Sequence, residues 1–186
     1  SPNRSRFFGF FSLCVTATTG IALAENLVTF LVFFELLTLV TYPLVAHRGT
    51  KEALRGARVY LGYTLVGGVV LLLGVAWLTT EVGPVEFTPG GIPAVVDFAQ
   101  RDPATATAIG ALLLIGVGVK AALFPLHGWL PVAMVAPAPV SALLHAVAVV
   151  KAGAFGIIRV VEDTFGLQTA ADLGLLTALA AVASVT

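Results

Sequence analysis

Glu35, Lys120 and Lys151 each lie deep inside a long apolar block, and His145 shares its block with Lys151. These side chains have one chemistry in common, the reversible gain and loss of a proton. A charge at the centre of a membrane-spanning helix costs about 2.5 to 3.5 kcal/mol or more, which makes such a residue a functional candidate by default. At the helical rise, Glu35 sits roughly 12 Å, Lys120 roughly 22 Å and Lys151 roughly 18 Å into its block, beyond easy reach of the headgroups. Histidine adds a group that titrates near physiological pH. Desolvation disfavours an ammonium ion and a neighbouring carboxylate favours it. Moving Glu35 toward or away from Lys120 would therefore switch the lysine between holding and releasing a proton. That is a device for transport rather than for catalysis.

Plainer readings stand beside this one. Glu35 and Lys120 could form a static buried pair that only fixes helix packing, Lys151 could snorkel to the outer interface, and His145 could be a packing histidine. Two lysines opposite one glutamate leave an excess base that a static pair does not require. Lys151 and His145 are six residues apart, about 9 Å along a helix axis and about 120° around it. They suit successive proton stations joined by water, which Ser141, one turn before His145, could hold. Glu25 reads as solvated, and Arg159, near a block's end, is assigned no role.

The elements that must position these groups are written in the composition. Of 186 residues only 20 are charged, 10 basic and 10 acidic, and 58 % are hydrophobic; mean hydropathy is +1.00. Soluble domains carry charge on about a quarter of their residues. The apolar residues fall in blocks long enough to cross a hydrocarbon core roughly 30 Å thick, and they are apolar on every face, which excludes the alternating strands of a β-barrel. The chain therefore reads as an all-α, polytopic transmembrane bundle within a single domain. Five predicted spans cover residues 7–24, 27–46, 59–80, 105–126 and 139–161, and a sixth, 173–186, is cut short. Because the chain opens on Ser1 and stops inside an apolar run, it reads as an internal piece of a longer protein. Zero net charge excludes a nucleic-acid surface, and the lone Cys14 excludes both a disulfide framework and a thiolate cluster. No metal site and no cofactor is expected, since no haem, flavin, Fe–S or nucleotide motif occurs.

Loop charges orient the bundle. Arg4, Arg6, Arg48, Lys51, Arg55 and Arg58 flank the first three spans on one side, whereas Glu81, Glu86, Asp97, Asp102, Glu162, Asp163 and Asp172 fall on the other. The basic side is the cytoplasmic one. Residues 83–103, rich in glycine and proline, read as a turn-rich outer connection. Past Lys120, Pro125 and Pro131 break the fourth span, and a broken backbone at membrane depth belongs in protein or beside a hydrated cavity. Alternatively the break is the cytoplasmic helix end, with Trp129 as an interfacial anchor. In the fifth span Ala148, Ala152 and Gly156 make a small-residue stripe for close helix contact.

The run Gly118-Val119-Lys120-Ala121-Ala122-Leu123-Phe124-Pro125-Leu126-His127-Gly128-Trp129-Leu130-Pro131, continued by Ala136-Pro137-Ala138-Pro139-Val140-Ser141-Ala142-Leu143-Leu144-His145 and Lys151-Ala152-Gly153, resembles the antiporter-like subunits shared by respiratory complex I, membrane-bound hydrogenases and multisubunit Mrp-type cation/proton antiporters. Phe33-Phe34-Glu35 through Tyr42 resembles the same family's glutamate-bearing helix. The resemblance covers about residues 7–161. It implies a fold of about fourteen transmembrane helices with two inverted five-helix repeats, of which these six would be the fourth to ninth. It also implies that Glu35, Lys120, His145 and Lys151 carry proton transfer. One departure is Val132, where the family has an acidic or polar residue after Trp-Leu-Pro; this removes any contribution of that position to cytoplasmic proton uptake.

The leading expectation is thus an integral membrane protein of a prokaryotic inner membrane that moves protons, with sodium left open, beside other integral membrane subunits in the lipid bilayer. Tyr42-Pro43-Leu44-Val45 and the doubled His145 and Lys151 lean toward the D-like component of a multisubunit antiporter. The alternatives are a pumping subunit of an NADH:quinone oxidoreductase or hydrogenase complex, with redox chemistry done elsewhere, and a structural scaffold whose buried charges lock subunits together.

Overall fold

A computed structural model describes residues 4–134 and 136–185. Among these, every regular element is helical. The first two helices, α1 (Arg4–Ala22) and α2 (Leu27–Val45), form a hairpin packed through Cys14, Ala17 and Ile21. The α2 start is set by Asn26, whose side chain accepts a hydrogen bond from the Thr29 amide at 2.8 Å, and such a cap stabilises the first turn of a helix. After a short 3-10 turn closed by left-handed Gly49, α3 (Lys51–Val82) runs for 32 residues from a Thr50 cap. That length, roughly 48 Å, exceeds the hydrocarbon core, so its first turns with Lys51, Arg55 and Arg58 stand clear of it.

Among the described residues, four helical stretches are long and apolar enough to cross a membrane: Leu27–Arg48, Lys51–Val82, Pro103–Lys120 and Ala138–Phe165. The glycine- and proline-rich outer connection is more ordered than its composition suggests. It contains α4 (Pro93–Arg101), which buries Val95, Phe98 and Ala99 and begins on a proline at its first position, where the missing amide costs nothing. Asp102 then caps α5 (Pro103–Lys120) by accepting from the Thr105 amide at 3.1 Å.

Small residues let α3 and α5 cross closely. A β-carbon at Gly67 would meet Val119 at 2.8 Å, one at Gly74 would meet Leu113 at 2.9 Å, and one at Gly116 would meet Leu71 at 2.6 Å. In lipid, where apolar burial between helices gains little, such backbone proximity is what drives association.

The fourth predicted span ends six residues early, at Lys120 rather than 126. Pro125 has no amide to give the carbonyl of Ala121 and turns Phe124 away from helical geometry. The chain therefore leaves the helix a turn sooner, through Ala122 at φ 56° and a cis Phe124–Pro125 bond. The short helices α6 (Trp129–Ala133) and α7 (Ala138–Ala142) follow. The fifth predicted span is not one regular helix either. Leu143–Val147 and Arg159–Phe165 are π-helical on either side of α8 (Val149–Ile158). The short α9 (Leu167–Asp172) precedes the last apolar run, of which residues 175–183 form α10 (Leu175–Ala183).

The connection between α3 and α5 is also stitched down by main-chain hydrogen bonds. Phe87 donates to the Glu25 carbonyl at 2.7 Å, Thr88 to Asp163 at 3.1 Å and Ile92 to Thr164 at 3.0 Å. Gly91 and Gly166, both at positive φ, pass so closely that a β-carbon on Gly91 would lie 2.7 Å from the Gly166 nitrogen.

Candidate functional site

Lys120, the last residue of α5, is 1 % exposed and its ammonium lies 3.4 Å from Oε1 of Glu35 on α2. The same nitrogen donates to the Phe34 carbonyl and sits 3.5 Å from the centre of the Phe34 ring. Carboxylate, carbonyl and aromatic face all favour a cation, and together they offset the cost of burying one. Glu35 is 27 % exposed, so the pair is dry at the lysine and accessible at the carboxylate. Glu35 fits only because Gly68 of α3 has no side chain; a β-carbon there would lie 2.7 Å from Oε2.

The broken end of α5 is held by Trp129, whose indole donates to the Val119 carbonyl at 2.8 Å. Trp129 is fully buried, with its ring 5.3 Å from that of Tyr60, so it is no interfacial anchor. It acts as a strut that satisfies a carbonyl beside Lys120 where the helix stops.

His145 and Lys151 are placed differently. Both are exposed on the described chain, and neither makes a hydrogen bond or ion pair among the described residues. On α8, Ala152, Gly153 and Gly156 are buried. Gly156 faces Val117 and Phe30, and Gly153 lies against the Ala121 backbone. Lys151 is about 160° round the helix from Gly153, on an outward stripe with Val147 and Ile158. His145 lies in the π-helical segment before it. The structure therefore joins Glu35 to Lys120 and leaves the expected succession through His145 and Lys151 unassembled among the described residues. Ser141 is occupied at the helix break, donating to the carbonyls of Met134 and Ala136 at 3.2 Å each. Arg159 pairs with Asp163 at 2.7 Å. No group of side chains suited to a metal ion occurs among the described residues.

Several residues escaped sequence reasoning: Gly68, the Phe34 carbonyl, and the buried polar side chains Thr38, Thr41, Tyr60 and Thr64. The only signal was polar residues within apolar blocks, which carries little weight for threonine because its hydroxyl bonds back to its own helix.

A discontinuous helix ending on a buried lysine, paired with a glutamate from a neighbouring span, places an acid–base pair inside a membrane-spanning helical bundle. Residues 24–185 match the family described as NADH:quinone oxidoreductase/Mrp antiporter, transmembrane, and the chain belongs to it. It is 37 % identical over 155 residues to the A/B component of a probable K(+)/H(+) antiporter from Rhizobium meliloti, an alignment covering 83 % of this chain and 15 % of that protein. It is 34 % identical over 161 residues to NAD(P)H-quinone oxidoreductase chain 5 of Synechocystis, covering 85 % of this chain and 24 % of the relative. The chain thus spans less than a quarter of the length of these relatives. Among solved structures, the Mrp complex from Dietzia matches at a TM-score of 0.77 with 32 % identity, covering 89 % of this chain and 18 % of the matched one. An archaeal membrane-bound sulfane sulfur reductase matches at 0.74 with 27 % identity over 91 % of this chain and 34 % of the other. The chain is an integral membrane protein with the antiporter-like fold.

Proposed function

We propose that this chain carries a proton-loading station of an antiporter-like subunit, in which Lys120 takes a proton from the cytoplasmic side and Glu35 sets how firmly it is held. The observation that carries the reading is the buried ammonium of Lys120 on a broken helix, with one carboxylate, Glu35, within reach among the described residues. A static strut would need neither the break nor the 27 % exposure of the carboxylate. With Glu35 close, the charged lysine is stabilised; with Glu35 drawn off, desolvation favours release. His145 and Lys151 receive the proton after Lys120. Because an ammonium open to hydrocarbon is costly, their exposed faces, on α8 for Lys151 and on the π-helical turn before it for His145, are covered by further protein or by a hydrated passage of the whole subunit.

The parent assembly we favour is a multisubunit cation/proton antiporter in a bacterial inner membrane, working beside other integral membrane subunits, and the likeness to the Rhizobium and Dietzia proteins supports it. The likeness to the Synechocystis chain supports the second reading, a proton-translocating subunit of a quinone oxidoreductase.

The test is proton flux in vesicles reconstituted with the whole complex. Lys120→Ala is expected to abolish flux while the complex still assembles. Normal flux with failed assembly would establish the scaffold reading instead. Flux that requires sodium or potassium in exchange selects the antiporter, and flux driven by quinone reduction selects the oxidoreductase.

A further inference from the structure

The first two turns of α3 set three cations on one open face. Lys51, Arg55 and Arg58 fall within about 60° of arc around the helix axis. All three are exposed, and none makes an ion pair among the described residues. Each stands three or four residues from the next, the spacing at which like charges on a helix repel. Lys51 also occupies the first turn, where the helix macrodipole is positive and favours anions. The acid of that turn, Glu52, lies about 100° round from Lys51 and pairs with none of the three. Orientation in the membrane asks only for basic residues on this side, and Arg4, Arg6 and Arg48 already supply them. It does not ask for three on one face.

The three cations, with Leu54 and Val59, line a groove of about 330 Å³, and its depth in the bilayer follows from the far end of α3. There the Trp77 indole donates to the exposed Glu81 carboxylate at 3.2 Å, a pairing suited to the membrane–water interface. A hydrocarbon core roughly 30 Å thick takes about 20 helical residues, so counting back from Glu81 puts its other edge at Leu61. Arg58 and Arg55 then stand roughly 5 and 9 Å outside that edge, level with a headgroup layer roughly 5 to 8 Å deep, and Lys51 one turn further out. Inside the edge the same face continues as Leu65, Val66, Val69 and Leu73, all exposed and all hydrocarbon.

We propose that this face of α3 is a binding site for one anionic phospholipid, with its phosphodiester seated between Arg55 and Arg58, Lys51 closing over the headgroup, and the acyl chains lying along Leu65, Val66, Val69 and Leu73. Guanidinium groups present parallel N–H donors that match phosphate oxygens. A phosphate in the groove removes the mutual repulsion of the three cations and meets the positive end of the helix dipole. The face changes from cationic to hydrocarbon at the depth where a lipid does the same, which favours a lipid over an acidic segment of a protein partner.

The experiment uses the full complex purified in detergent. It reads co-purified phospholipid by mass spectrometry, and the melting temperature on adding phosphatidylglycerol, phosphatidylcholine or inorganic phosphate at low salt. Anionic lipid should be retained, and phosphatidylglycerol should raise the melting temperature where phosphatidylcholine and phosphate do not. Arg55→Gln and Arg58→Gln should each weaken phosphatidylglycerol binding roughly fivefold. Arg48→Gln removes a charge from the same end outside the groove and should leave binding unchanged. Equal losses in all three variants would reveal a diffuse basic surface and overturn the site. A response to phosphate equal to that to phosphatidylglycerol would overturn the lipid as ligand. A benzophenone side chain introduced at Leu54 should label phospholipid on illumination; labelling of a neighbouring subunit instead would give the face to a protein partner and end the proposal. Should the glutamine variants fail to assemble, the labelling result decides alone.

Discussion

Gly68→Ala tests the control of Lys120 by Glu35 without altering any charge. The new β-carbon would lie 2.5 Å from the Glu35 carboxyl carbon and from Oε1, and 2.7 Å from Oε2, whereas ordinary contacts begin at 3.4 Å. The carboxylate is the free end of a flexible side chain, so it yields while the helices stay in place. A retreat of about 0.8 Å directed away from Lys120 lengthens the 3.4 Å ion pair to about 4.2 Å, the largest separation this displacement allows. At an effective dielectric constant near 20, the attraction falls from about 4.9 to about 4.0 kcal/mol, a loss of about 1 kcal/mol or roughly fivefold. Proton flux in vesicles at neutral pH should drop by about that factor. Gly62→Ala, where a β-carbon meets nothing within 4 Å, serves as the control and should leave flux unchanged. If Gly68→Ala conducts within twofold of the parent while a structure of the variant shows the displaced carboxylate, the separation of Glu35 from Lys120 does not set the rate.

Gly153→Ala should loosen α8 from α5, because the added carbon meets the Ala121 backbone and lies 2.7 Å from the Lys120 carbonyl carbon, atoms that cannot rotate aside. Overpacking of this kind costs about 1–3 kcal/mol, read as a lowered melting temperature; an unchanged melt would contradict the close crossing. Trp129→Phe removes one of two donors to the Val119 carbonyl and should cost about 1–2 kcal/mol, with faster proteolysis between 121 and 128 as a second readout. Outside the spans, the Thr105 hydroxyl and then its amide hold the Asp102 carboxyl below its ordinary value of 3.8. A group whose folded value is lowered stabilises the fold fully above its unfolded value and loses that contribution as pH falls through the folded one. Melting curves should therefore show a small loss below about pH 4 that Asp102→Asn lacks, and identical curves for the two proteins would remove Asp102 as the source.

The site was legible in the sequence to the extent that cost is legible. Glu35 and Lys120 were found because a charge inside twenty apolar residues is expensive wherever it points, and the structure pairs them. Facing was not legible. In the four membrane-spanning stretches only 39–50 % of the apolar window is buried within the chain, and Leu, Val and Ile serve equally well against lipid or protein. Lys151 and His145 were grouped with Lys120 on their depth within an apolar block, which carries no information about facing, and both are exposed on the described chain. The end of α5 was misjudged for a related reason. Pro125 marks where a helix cannot continue, not where it stops, and the chain had already left at Ala122. Tyr60 and the threonines were passed over because a hydroxyl in a helix is cheap until its partner is known to be missing.

The main-chain seam over the outer side, with Gly91 against Gly166, has a consequence for how this protein can vary through descent. Bonds from Phe87, Thr88 and Ile92 to the carbonyls of Glu25, Asp163 and Thr164 involve no side-chain atoms. The bonds themselves do not depend on side-chain identity, although Ile92 is buried and the Phe87 ring lies 5.0 Å from the Arg159 guanidinium, and Gly91 and Gly166 leave no room for a β-carbon. The rim at this end of the bundle can vary where its side chains are exposed while the main-chain seam stays closed.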